Sequence, residues 1–169
     1  MKKSIYLLLT VIISSLNSYA IEFKEANVLN NETETILIGN EKDSKITFTA
    51  NKTTIMVKVQ KIIDNQKLNI KISDVEIVKT LAENDLERVV YILYLHDKDF
   101  RNKIGYLLEI DNDNNLYLKL NAFVGVTCTS TGCQFGCAPA ALVDPKSGNS
   151  VLTCSSCTNT CTKSASVGN

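Results

Sequence analysis

The feature that most constrains this chain is its C-terminal quarter, where six cysteines stand in a segment with little else to give it shape. Cys128, Cys133, Cys137, Cys154, Cys157 and Cys161 are spaced C-x4-C-x3-C, then sixteen residues, then C-x2-C-x3-C. From Thr127 to Asn169 only Asp144, Lys146 and Lys163 are charged, and Cys, Ser, Thr, Gly and Ala dominate. Side chains that small bury too little apolar surface to offset the entropy of ordering them, so cross-links must carry the segment. An even number of cysteines in such a segment predicts a disulfide-stapled module whose pairing the sequence does not specify. The two arms also resemble each other. Val126-Thr127-Cys128-Thr129-Ser130 matches Leu152-Thr153-Cys154-Ser155-Ser156, an internal repeat that predicts two similar strand-and-turn units side by side.

Thiolates also bind metals. Cys133 and Cys137 with Cys154 and Cys157 have the spacing of two half-sites for tetrahedral zinc, leaving Cys128 and Cys161 for an outer disulfide. Copper(I) suits the same soft ligands. An iron–sulfur cluster is disfavoured, because its insertion must follow export. Cys154-Ser155-Ser156-Cys157 is formally C-x-x-C but has no βαβ context, and Thr158 stands where haem attachment needs histidine.

The N-terminus explains why oxidation is the leading expectation. Met1-Lys2-Lys3 is a positive n-region, Ile5 to Leu16 is apolar, and Ser18-Tyr19-Ala20 places small residues where a signal peptidase reads. The apolar run is shorter than the roughly 20 residues that span a bilayer, so a leader cleaved after Ala20 is expected rather than an anchor. No cysteine follows closely enough for a lipid anchor, and no later stretch has the character of a transmembrane segment. Beyond the membrane the chain meets an oxidising compartment. Lys2 and Lys3 leave with the leader, so 18 basic against 18 acidic residues become 16 against 18. No basic block remains, which argues against nucleic acid as a partner.

Composition divides the rest into residues 21–126, an antiparallel β domain rich in charge and free of cysteine, and residues 127–169, the cysteine-rich module. The expected fold class is mainly β, an antiparallel sheet or sandwich followed by a small disulfide-rich C-terminal module. Period-two alternation predicts strands at Ile46, Phe48 and Ala50, at Ile55, Val57 and Val59, and at Leu68, Ile70 and Ile72. The Asp64-Asn65-Gln66 segment then predicts a hairpin between the last two. Val89 to Leu95 is nearly continuous in apolar character, as in a central strand covered on both faces. Ile104 to Ile110 faces Leu116 to Leu120 across an Asp/Asn cluster, the clearest hairpin. Residues 74–87 fit either a helix or a continued strand; the β-branched Val75, Ile77 and Val78 favour the strand, with a short helical turn near Leu81 to Leu86. Lys119 to Val126 is expected to lead the sheet into the module through Phe123, with Gly125 as the bend.

No spacing marks catalysis. His96, the only histidine, lacks a nucleophile beside it in sequence and reads as a strand-end residue without a catalytic role. Asp111, Asp113 and Asn115 begin like a calcium loop, but Leu116 stands at the turn glycine and Ala122 at the bidentate glutamate. The leading expectation is an exported, non-enzymatic protein of the periplasm, cell surface or exterior, of bacterial type, without cofactor and with a surface or protein partner. The alternatives are a thiolate metal-binding exported protein, with zinc or copper, and a secreted toxin or antimicrobial effector.

Overall fold

The computed structural model describes residues 35–119, 124–132, 137–155 and 161–167. Along them run β1 (Thr35–Lys42), β2 (Lys45–Phe48), α1 (Lys52–Asn65), β3 (Ile72–Ala82), β4 (Asp85–Asp97), β5 (Asn102–Ile110), β6 (Asn115–Lys119), β7 (Val124–Ser130), β8 (Pro139–Val143), β9 (Ser150–Cys154) and β10 (Cys161–Val167). The strands β3, β4 and β5 lie side by side, and the sheet forks at the far edge of β5. The N-terminal half of β5 pairs with β7, from Asn102↔Thr129 to Tyr106↔Gly125, and β10 follows β7. The C-terminal end of β5 pairs with β6 at Glu109↔Tyr117 and Ile110↔Leu116, and β1 and β2 follow β6. This second branch curls back over the sheet towards a barrel. Ile77 of β3 reaches to 2.7 Å from where a Cβ on Gly39 of β1 would stand.

Strand β4 is the centre, buried on both faces as its unbroken apolar run predicts. Tyr91, Leu93 and Leu95 point into a first core with Val75, Ile104, Tyr106, Ile38, Leu116 and Leu118. Val90 and Ile92 point the other way, into a second core with Val126, Cys128, Ala141 and Leu152. The β8–β9 hairpin supplies Ala141 and Leu152 and so roofs the opposite face of the sheet. The compositional boundary near Val126 falls inside β7, which belongs to the main sheet.

The expected strand at Ile55, Val57 and Val59 is instead part of α1. Asn51 caps the helix, its side chain accepting from Thr54 N at 3.0 Å. Ile55, Val59 and Ile63 recur every four residues, are buried in the first core, and leave Val57 exposed. Over five residues the two periods share Ile55 and Val59, and burial of a helical stripe decided between them. The expected hairpin at residues 64–66 is accordingly absent: the helix ends there, and Leu68 to Lys71 lies outside any ladder, with Ile70 N donating to Leu68 O. Gln60 substitutes for the missing strand partner, donating to Ile70 O and accepting from Ile72 N. The continued strand over residues 74–82 is present as β3. The helical turn near Leu81 to Leu86 is not; Ala82↔Asp85 closes a tight β3–β4 hairpin around Glu83 and Asn84.

The β5–β6 hairpin forms as expected. Asp111 accepts from Asp113 N and Asn115 N through Oδ1, and from Asn115 Nδ2 through Oδ2. A carboxylate so engaged serves the turn. Gly125 is not a bend but a strand residue lying under the Tyr106 ring, whose Cε1 would collide with a Cβ there. Close approach of the ring requires the glycine.

A polar clasp closes one end of the first core. Glu41 of β1 accepts from Lys79 of β3 and from the Tyr91 hydroxyl of β4. The Lys79 hydrogen bond, and then that of Tyr91, hold the Glu41 carboxyl below its usual range. A depressed carboxylate stabilises the fold above the unfolded-state pKa, and that contribution disappears as pH falls through the lower folded value. Glu41→Gln is therefore expected to flatten the acid limb of stability, measured as urea midpoints from pH 7 down to about pH 3. An acid limb identical to that of the parent would show that the clasp contributes nothing.

Candidate functional site

The structure joins Cys128 to Cys154, with Cα atoms 5.6 Å apart, and Cys137 to Cys161, at 5.9 Å. Cys133 and Cys157 lie outside the described residues. The bridges tie both ends of the β8–β9 hairpin to the adjacent sheet strands β7 and β10. The repeat seen in sequence is a pseudo-twofold arrangement. In β7–β10, Cys128 is opposite Lys163, two residues past Cys161; in β8–β9, Cys154 is opposite Pro139, two residues past Cys137. The two repeat segments face each other across the layers, each bridge sulfur 3.9 Å from a carbonyl of the other segment, Thr153 O or Thr127 O. Of the four sulfurs that a tetrahedral site would use, Cys137 and Cys154 are therefore bonded to other cysteines.

Further contacts fix the hairpin's position. Glu83 N donates to Ala141 O, and the Asn84 amide both donates to Val143 O and accepts from Val143 N, so the β3–β4 turn acts as a strand partner for β8. Arg88 holds the β8–β9 turn through Gly148 O at 2.7 Å. Gly105 of β5 lets Pro139 lie flat on the sheet; a Cβ there would stand 2.5 Å from the proline.

Beside the hairpin a crevice opens, with a volume of about 720 Å3. Strands β4 and β5 are paired from His96↔Lys103 to Tyr91↔Leu108. Past that point β5 turns to β6 while β4 stays with β3, so the two strands part. Val89 to Tyr91 of β4, Leu107 to Ile110 of β5, and Asn149 with Ser150 to Leu152 of β9 line it. Val89, Ile110 and Val151 are 42–43 % exposed, an unusual concentration of apolar surface around one concavity. The charged lining residues are Glu109, Lys119 and Lys163. Lys119 Nζ is 2.6 Å from Glu109 Oε2, and Lys163 Nζ donates to Leu152 O at 3.1 Å. Both lysines come from strands on the side of β5 away from β4. The crevice thus has a cationic end and an apolar end. Sequence reasoning missed it, because its walls are ordinary strand residues brought together only by the parting of β4 and β5. Lys163, a rare charge in the cysteine-rich segment, was the one local signal.

A second crevice, of about 520 Å3, lies between α1 and residues 68–73. Its Gln60 is occupied by the backbone bonds described above.

His96 stands at the end of β4, stacked on Phe100 with ring centroids 4.0 Å apart. Its Nδ1 lies 2.8 Å from Asp97 O, a carbonyl that only accepts, and 3.4 Å from Ser73 Oγ. The Ser73 hydroxyl donates to His96 O. The Asp97 carboxylate is turned into the following loop, accepting from Arg101 N, Asn102 N and Asn102 Nδ2. Nucleophile, base and orienting acid are present here but not in relay order.

Comparison with protein-family models, with curated proteins and with solved structures returned no match. Among the described residues no helix is long and apolar enough to cross a membrane, and no group of three or more His, Cys, Asp or Glu side chains could hold a metal ion.

Proposed function

We propose that this chain is an exported, non-enzymatic binding protein that works in the periplasm, at the cell surface or outside the cell. The observation that carries the reading is the pair of disulfides clamping the β8–β9 hairpin onto the sheet. Such bonds persist in oxidising compartments and are rare in reducing ones. The leader-like N-terminus supports the same location, and the apolar crevice beside the clamped hairpin supports binding. The Ser73–His96–Asp97 geometry supports a role without turnover.

Intact mass of the protein recovered from its natural compartment, with and without reduction and alkylation, tests this. A mature N-terminus at Ile21 and no alkylation before reduction are expected. Cys133 and Cys157 are the only intrachain partners left for each other, so full oxidation removes two hydrogens for each of three bridges. A retained leader with freely alkylated cysteines would overturn the reading.

A further inference from the structure

We propose that the crevice between β4, β5 and β9 binds a free long-chain carboxylate. The hydrocarbon tail lies along the apolar lining towards Val89 and Ile110, and the head sits at Lys119 and Lys163. This rests on the exported binding-protein reading and names the ligand class for it.

Three observations carry the assignment. The concavity has the volume of a small-molecule site, about 720 Å3. Its polarity is asymmetric. Apolar side chains line the side where β4 and β5 part, and both ammonium groups lie on the β6 and β10 side. Its charge fits a monoanion: Glu109 already neutralises Lys119, so the three ionised lining residues sum to a single positive charge. A carboxylate head meets the remaining donors of Lys163, whose third is spent on Leu152 O, and shares Lys119 with Glu109. An added peptide strand fits less well. In the neighbouring part of β4, Glu87 N is already taken by Asp85 Oδ1.

The test is isothermal titration calorimetry of the exported, oxidised full chain with dodecanoate below its micellar concentration at pH 8, against dodecanol and a series from octanoate upward. One-to-one binding is expected, rising roughly fourfold per methylene from octanoate to dodecanoate, with dodecanol at least about tenfold weaker. Lys119→Gln with Lys163→Gln should abolish the preference for the acid while leaving dodecanol binding unchanged. Ile110→Glu and Val151→Glu, each at a position 43 % exposed, should each remove binding of both.

Equal affinity for acid and alcohol, no binding of either, or full binding by Ile110→Glu would overturn the proposal. So would binding to anionic vesicles without binding to the monomeric acid, which points to a membrane surface instead. Intact mass of the same sample reports separately on the exported reading. Oxidised protein that ignores dodecanoate removes the ligand class and leaves the exported reading in place.

Discussion

Replacing Cys128 and Cys154 together by alanine is expected to lower the unfolding free energy by about 3.5 kcal/mol, the chain-entropy value for a loop with a sequence separation of 26. The stabilisation acts mainly on the unfolded chain, which loses conformations when β7 and β9 are tied. A native-state effect adds to it. Cys128 is fully buried in the second core, so losing the bridge also loosens the contact of Leu152 with Val126 and Ile92. Urea midpoints under non-oxidising, non-reducing conditions measure the total. Amide exchange of Ala141 and Leu152 reports the local part, and it should accelerate more than that of Leu93. A loss below about 1 kcal/mol would mean that the hairpin holds its place through Asn84, Arg88 and packing alone.

The second large effect separates the two faces of β4. Ile92→Ala and Leu93→Ala each delete a side chain at most 1 % exposed, and each should cost about 2–5 kcal/mol. The neighbours serve different cores. Ile92 packs under the stapled hairpin, and Leu93 packs against β1, β6 and the helix. In the Cys128→Ala, Cys154→Ala background the cost of Leu93→Ala should be unchanged, whereas that of Ile92→Ala should fall, because its roof is already loosened. A double-mutant cycle reads this directly as a coupling energy for Ile92 and near zero for Leu93. Equal coupling at both positions would contradict the assignment of two independent cores.

Much of the fold was legible where local chemistry and tertiary burial agree. The apolar run from Val89 to Leu95 admits no other place than a strand covered twice. The Asp111 turn supplies its own hydrogen bonds, so the β5–β6 hairpin needs no distant information. The helix was misread because Ile55, Val57 and Val59 satisfy a period of two, and because β-branched residues favour strands. Its better signals were the cap at Asn51 and the recurrence of apolar residues at Ile55, Val59 and Ile63, which show only over a longer window. The cysteine repeat was legible as a repeat, but its two units were expected side by side, and that they face each other across the layers with matched register was not legible. The crevice was illegible for a physical reason. It exists because β5 changes neighbours, an event set by which strands Asn102 to Tyr106 and Glu109 to Ile110 can reach, and no local pattern near Val89 or Lys119 records that choice.

The connectivity has a consequence for how the protein matures. Cys128 bonds to the fourth cysteine in chain order and Cys137 to the sixth, so in any delivery that presents the N-terminus first, three sulfhydryls appear before either of these partners. Oxidation in order of appearance would join nearest neighbours and trap the wrong isomer. Reaching the native pairs requires the early thiols to stay reduced until Cys154 and Cys161 arrive, or a thiol–disulfide exchange catalyst to rescue mispaired chains. Yield of correctly bridged protein should therefore depend on the isomerase capacity of the compartment where it folds, rather than on its oxidising strength.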